Sequence, residues 1–418
     1  MGASIVKISD AGTDAYCKLQ FAGGKKLKTK VVQVKANTRF GINPEFNYEL
    51  WYPVSIPTMT QLVKFGVYDK DSTGSELIAN IIMKYNEIEK MIGKSTGLRW
   101  FNMYGSPDFK TEKGLSNIKK GVVELYNKTK TLSGYDIDWF KYYNIVPDRA
   151  PSFKGRGLLK FRIEQKRPRD PKYAKYPDNL PFRRNINKHK ILKSQEPASR
   201  EYRLRALFLC GTDLPEFGTV TNDKLMVKIS IGLYELSTTF VSNDGGSCRW
   251  NELKESDPLM LPIDHTQIPD LFIYLVKESD KKKCICFKRL KPVINKIGDL
   301  IGFNEPTQWF LLQEDKSINA LSDGIFPGNI LIKLGFGLVQ EAEATRQEWV
   351  NSLEKSLKTV PYQVRVHVYQ CKNVPPADAN GLADPFVEIH LMGIHFLLFL
   401  ITIVLIFIPK GRRRRLII

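Results

Sequence analysis

The feature that most constrains this chain is an internal repeat with a period of about 150 residues, far longer than the 20–50 residues of solenoid repeats. Residues 43–51 read NPEFNYELW and residues 249–253 read RWNEL, each holding an aromatic-Asn pair, Phe46-Asn47 and Trp250-Asn251. An apolar strand follows each pair and ends in an acidic turn, VYDKD at 67–71 and VKESD at 276–280. Next come a Trp strand, RWFNMYG at 99–105 and QWFLLQED at 308–315, and a Gly-led strand, GLLKFRI at 157–163 and GNILIKL at 328–334. Units of that length with many short strands indicate duplicated β-sandwich domains, one hydrophobic core each.

Period-two alternation and β-branched or aromatic enrichment predict strands at 15–21, 28–33, 48–54, 62–68 and 155–165 in the first unit. They predict strands at 202–210, 226–231, 271–277 and 328–336 in the second. Residues 340–356 are polar with helical spacing. Residues 362–370, YQVRVHVYQ, alternate as a strand and open a third unit. The expected architecture is all-β. Its parts are a sandwich over 1–166, a basic Pro-rich linker over 167–199, a second sandwich over 200–340, a polar helical linker over 341–361, and the start of a third sandwich over 362–390.

Charge is concentrated. Lys and Arg number 63 against 44 Asp and Glu, a net +19. Residues 154–205 hold 17 bases and 5 acids, so +12 of that excess lies on one stretch. Such a stretch points to an anionic partner. The six cysteines are scattered without a CxxC pair, which gives no metal knuckle and no disulfide framework. Among enzyme signatures the P-loop and HExxH are missing, and five His give little material for acid–base work, so a binding protein rather than an enzyme is expected.

Residues 391–408 form an 18-residue apolar run followed by Pro409, Lys410 and Arg412 to Arg415. As a helix rising 1.5 Å per residue the run would span roughly 27 Å, the short edge of a bilayer. A hydrophobic helix over 391–409 acting as a single-pass anchor with a basic tail at 410–418 is the first reading. A buried strand or core helix, or an end that interrupts the third sandwich, are the alternatives, since two strands cannot bury a sandwich core.

The acidic turns have a chemical use. Ca²⁺ takes six to eight oxygen ligands, and loops converging at one tip of a sandwich can supply them. In the first unit the candidates are Asp14 from one loop and Asp69, Asp71 and Glu76 from another; in the third they are Asp378 and Asp384. Asp and Asn in turns also serve local hydrogen bonding alone. In the second unit Lys224 takes the position of Asp14, and its acidic turn is followed by Lys281, Lys282 and Lys283.

The order Asp-Ala-Tyr, FAGGKKLKTK, NPEFNYELW, VYDKD and a late Trp strand resembles a C2 domain, and ADANGLADPF resembles the first calcium loop of another. Tandem units of this kind with WFNMYG and WFLLQEDKSINAL segments, a basic Pro-rich linker and a C-terminal apolar run resemble a ferlin, of which this chain would be a fragment or reduced member. The resemblance implies tandem C2-type antiparallel sandwiches with a C-terminal hydrophobic helix. It implies C2 domains facing the cytoplasm, Ca²⁺ at the acidic tips, anionic phospholipid membranes and fusion-machinery proteins as partners, and a role in calcium-regulated trafficking, fusion or repair. Nucleic acid is not expected as a partner. Lys25, Lys26, Lys28 and Lys30, with Lys281 to Lys283, are the expected lipid contacts. The competing expectation is a calcium-insensitive C2 scaffold that binds acidic lipid or protein.

Overall fold

The computed structural model describes residues 3–5, 13–21, 24–34, 42–54, 62–70, 75–84, 90, 92–105, 147–164, 182–186, 196–216, 224–280, 284–293, 299–314, 325–358, 363–367, 369, 387–391, 394–398 and 404–406. The first sandwich contains β1 (Ala3–Ile5), β2 (Thr13–Phe21), β3 (Leu27–Lys28), β4 (Val32–Val34), β5 (Tyr48–Trp51), β6 (Leu62–Lys70), β7 (Ser75–Lys84), β8 (Arg99–Gly105) and β9 (Ser152–Leu159). The strands β7, β6, β2 and β3 pair in that order, and β1, β9 and β8 pair in another run. The two runs touch in the ladder at one residue pair, Asn80 with Tyr104. Their inner residues meet in one core, with Ala15, Cys17, Phe65 and Val67 from one run and Met103 and Leu159 from the other.

The second sandwich repeats this plan. Its strands are β11 (Ser199–Thr212), β12 (Lys224–Ile231), β13 (Tyr234–Ser237), β14 (Val241–Ser242), β15 (Cys248–Glu255), β16 (Leu259–Pro262), β17 (Leu271–Lys277), β18 (Cys284–Leu290), β19 (Gln308–Leu311), β20 (Gln313–Glu314) and β21 (Asn329–Leu338). One sheet runs β15-β11-β21-β19 and the other β13-β12-β17-β18-β20. Strand β12 takes β13, β14 and β17 as β2 takes β3, β4 and β6.

Two local devices recur and mark the duplication. Asn47 and Asn251, each just after the buried aromatic Phe46 or Trp250, have left-handed backbones with φ of 46° and 48°. Asn is one of the residues that tolerates this conformation through local hydrogen bonding. The second device corrects the expectation of one strand over 28–33. Thr29 is buried, its N–H donates to the Cys17 carbonyl, and its hydroxyl accepts from the Cys17 N–H at 2.9 Å. The hydroxyl thus stands in for a backbone carbonyl and splits the strand into β3 and β4. Thr238 does the same to Val227, with its hydroxyl 3.1 Å from that N–H.

The polar segment after β21 is helical, as its spacing predicts, but it is docked on the second sandwich. Helix α1 (Val339–Leu357) covers the outer face of β11 and buries Ala342 and Trp349 fully. Under it lies Arg205, 0% exposed, paired with Glu255 at 2.6 Å and donating to the Ala342 carbonyl at 2.6 Å. Its guanidinium sits 5.3 Å from the Phe303 ring centre and 5.5 Å from that of Trp349. Trp349→Ala should destabilise the chain by about 3–5 kcal/mol, because it removes a large buried ring and half of the aromatic enclosure of a buried cation. Urea denaturation followed by far-UV circular dichroism measures it; a loss below about 1 kcal/mol, within the range of a surface change, would show the helix to be dispensable.

The two sandwiches are clamped together. Tyr104, Ala150 and Phe153 of the first pack on Phe272, Tyr274 and Phe287 of the second. The Tyr274 hydroxyl donates to the Pro151 carbonyl at 2.8 Å, and the Asp270 N–H donates to the Tyr104 hydroxyl oxygen at 3.0 Å. Arg289, paired with Asp270 at 2.7 Å, lies 4.0 Å over the Tyr104 ring centre and donates to the Pro147 carbonyl.

The C-terminal expectation is corrected. Among the described residues no helix is long and apolar enough to cross a membrane. The described parts of the apolar run are strands. After β22 (Gln363–Arg365) and β23 (Val387–Leu391) come β24 (Ile394–Leu398), which forms a hairpin with β23, and β25 (Val404–Ile406), which pairs with β22. Periodicity alone does not separate a buried strand from an apolar helix in a run rich in Ile, Val, Leu and Phe; here the third unit's strands take the run as ladder partners. Among the described residues of 362–370, only β22 is strand.

Candidate membrane-binding face and acidic tip

Alternation along β2 and β6 separates two faces. Ala15, Cys17, Val63, Phe65 and Val67 face the core, so Tyr16, Lys18, Lys64 and Tyr68 lie on the opposite side. Ladder register places Lys18 beside both Lys28 and Gly66, Tyr16 beside Tyr68, and Gln20 beside Lys64. Tyr16 and Tyr68 stack at 5.6 Å. The Lys18 ammonium rests 3.7 Å from the Tyr68 ring centre and 5.1 Å from that of Tyr16, while Lys28 lies 5.9 Å from Tyr16. Burial, and then the neighbouring Tyr16, push the Tyr68 hydroxyl up, so the ring stays a neutral phenol under its cation. Gly66 makes room for this ring, since a Cβ there would come within 2.8 Å of it.

Lys25, Lys26, Lys28 and Lys30 are all exposed, and Lys28 and Lys30 flank the buried Thr29 as alternation predicts. Sequence reading found these four and missed Lys18 and Lys64. The signal was present: both stand at the outward positions of TDAYCKLQF and LVKFGVY, but a lone lysine in each strand reads as a solvated position. The face is therefore a basic sheet surface with a stacked aromatic pair beneath two of its ammonium groups.

The acidic tip differs from expectation in where its residues sit. Asp14 is the second residue of β2, and Asp69 the next to last of β6, so both stand on strand ends rather than in loops. The Asp14 N–H donates to Asp69 Oδ1 at 3.0 Å, and Asp69 is only 6% exposed. Glu76 stands opposite Asp69 in the β6–β7 ladder. Asp71, Asp378, Asp384 and Lys281 to Lys283 lie outside the described residues, as does the side chain of Glu76. Among the described residues no three acidic, His or Cys side chains are gathered as a metal site. The donors in place fit Ca²⁺ in kind, since both are hard carboxylate oxygens, but they account for two side chains of a shell of six to eight oxygens.

The second sandwich has replaced this chemistry. Ladder register puts Asp69 opposite Ala15 and puts Lys277 opposite Leu225, so a lysine stands where the first tip has its buried carboxylate. The motif alignment of VYDKD with VKESD is thus shifted by one residue in space. Lys224, the counterpart of Asp14, is paired with Glu278 at 3.8 Å. An ammonium-carboxylate pair occupies this tip, consistent with the sequence reading of Lys224 as standing in the place of a metal-binding carboxylate.

Solved structures resembling the chain include the two tandem C2 domains of extended synaptotagmin 2, at 12% identity over 80% of this chain and 87% of that one, with a TM-score of 0.23. A C2 domain-containing protein from a putative elicitor-responsive gene matches at 12% identity over 35% of this chain and 96% of that one, with a TM-score of 0.25. Human GIVD cytosolic phospholipase A2 matches at 13% identity over 80% of this chain and 31% of that one, with a TM-score of 0.21. No curated protein matches the chain in sequence. At the level of families, residues 5–103 and 362–396 match the C2 domain.

Proposed function

We propose that this protein binds anionic phospholipid surfaces through the basic sheet face of its first sandwich, and that Ca²⁺ held at the neighbouring tip strengthens the contact. The observation that carries the reading is the face itself. Lys18, Lys28 and Lys64 share one side of a twisted sheet, with Lys25, Lys26 and Lys30 exposed beside them. Each base near an anionic bilayer contributes roughly 1 kcal/mol. The equivalent face of the second sandwich is used differently: Phe272, Tyr274, Phe287 and Arg289 on its outer side hold the first sandwich. Membrane contact is assigned to the first unit for that reason.

Asp14 and Asp69, with Asp71 two residues further along the chain, are the residues that would hold Ca²⁺. The bound ion supplies positive charge and open coordination positions for lipid oxygens. Without it the carboxylates repel the same lipids, so the tip works as an electrostatic switch. The C2 match and the ferlin-like order of motifs support a role at membranes in calcium-regulated trafficking, fusion or repair, as a binding protein rather than a catalyst.

The experiment is co-sedimentation of the chain with vesicles of phosphatidylcholine, with and without phosphatidylserine, in Ca²⁺ or in chelator, over a salt series. The expected result is binding that requires phosphatidylserine, weakens with salt as exposed charges are screened, and is tighter with Ca²⁺. Binding indifferent to phosphatidylserine would end the lipid reading; binding that needs phosphatidylserine but ignores Ca²⁺ would leave the calcium-insensitive scaffold.

A further inference from the structure

The first strand of the second sandwich, β11, is long enough to pair with β15, β16 and β21. Its counterpart β1 is three residues and pairs with β9. Strand β5, the counterpart of β15, has a different partner. Strand β10 (Phe182–Asn185), from the basic Pro-rich segment between the sandwiches, runs antiparallel to it, with Phe182, Arg183, Arg184 and Asn185 opposite Trp51, Leu50, Glu49 and Tyr48. One more bond extends the docking, the Ile186 N–H to the Asn47 carbonyl at 2.8 Å. A segment that composition alone reads as a linker therefore supplies a strand to the first sandwich.

That strand arrives next to the lysines. Arg183 Nη1 donates to the Lys28 carbonyl at 3.3 Å, and Arg184 pairs with Glu49 at 2.6 Å. Both arginines are exposed. Docking thus adds the charge of Arg183 to the rim that carries Lys25, Lys26, Lys28 and Lys30, and Arg184 cancels the negative charge of Glu49 beside it. Seating a cationic strand against a cationic face costs repulsion, and an anionic surface laid over both removes that cost.

We propose that the linker strand Phe182–Asn185 is a working part of the anionic-lipid site, and that strand docking and membrane binding are cooperative. The proposal rests on the lipid reading of the first sandwich. By linkage, whatever factor the docked strand adds to lipid affinity, lipid adds to docking.

Two substitutions in the full chain separate docking from mere charge. Arg183→Gln removes one base and should lower affinity for phosphatidylserine-containing vesicles about fivefold. Ile186→Pro leaves every charge in place but removes the N–H that binds Asn47; it should lower affinity at least as much, because it releases both arginines and uncovers Glu49. Hydrogen exchange across 182–186 should slow when phosphatidylserine vesicles are added, and not with phosphatidylcholine alone. Protection of β2 and β6 in the same experiment reports that the sandwich stays folded. If the parent binds phosphatidylserine vesicles and Ile186→Pro binds them equally well, or exchange across 182–186 ignores lipid, cooperative docking is wrong and the lipid face stands. If the parent itself fails to bind those vesicles, both fall.

Discussion

Reversing the four exposed lysines together, Lys25→Glu, Lys26→Glu, Lys28→Glu and Lys30→Glu, should lower affinity for phosphatidylserine vesicles by about a thousandfold or more. Loss of attraction alone is roughly 1 kcal/mol per base near an anionic surface, and four such losses make about three powers of ten; the new carboxylates add repulsion. The fold should survive, because all four side chains are exposed and the bonds that fix this segment belong to its backbone and to Thr29. A thermal melt within a few degrees of the parent would confirm that. Co-sedimentation over a salt series should also show a flatter salt dependence than the parent, since fewer charges are being screened. A fall of less than tenfold would place the membrane contact elsewhere on the molecule. The clamp predicts where it would not be: the matching face of the second sandwich stays closed as long as Arg289, Asp270 and Tyr104 hold.

The internal repeat made the fold class legible, and the aromatic-Asn pairs that revealed it share a left-handed backbone at Asn47 and Asn251. Strand 271–277 was readable to its ends because it is buried and its apolar run is continuous. What escaped the sequence was governed by tertiary partners. Thr29 and Thr238 break ladders by offering a hydroxyl to a strand that only the fold brings beside them. Helix α1 was legible as a helix, but its anchorage over Arg205 depends on Phe303, distant in sequence. Residues 182–185 have the composition of a linker, and they form a strand because β5 has an edge that β1 is too short to cover. The apolar C-terminal run reads first as a membrane helix and only second as a buried strand, and its described parts pair as strands with β22 and β23. Of the acidic residues, Asp14 and Asp69 stand side by side, while their seats on strand ends follow from a register that motif spacing does not encode.

Asp69→Asn with Asp71→Asn should abolish the gain in phosphatidylserine binding that Ca²⁺ confers, a gain of about thirtyfold if the ion's two charges act near the surface at roughly 1 kcal/mol each. Asparagine at 69 is close to a pure charge deletion. Its side-chain carbonyl has the same shape and can still accept the Asp14 N–H that now binds Oδ1 at 3.0 Å, so the β2–β6 register at the tip is kept. What is lost is hard anionic oxygen, which Ca²⁺ requires. In chelator the double variant should bind slightly better than the parent, because two charges that repel acidic lipid are gone. The second sandwich supplies a natural control for the sign of this effect: with Lys277 and Lys224 in the corresponding positions it carries its own positive charge, and no metal should change its behaviour. Titration calorimetry of Ca²⁺ into the full chain should therefore lose the heat assigned to the first tip in the double variant, while Lys224→Gln should leave the titration unchanged. An undiminished Ca²⁺ response in the double variant, with the fold intact, would show that the switch is not built on Asp69 and Asp71 and would return the first sandwich to a purely electrostatic, calcium-insensitive mode of binding.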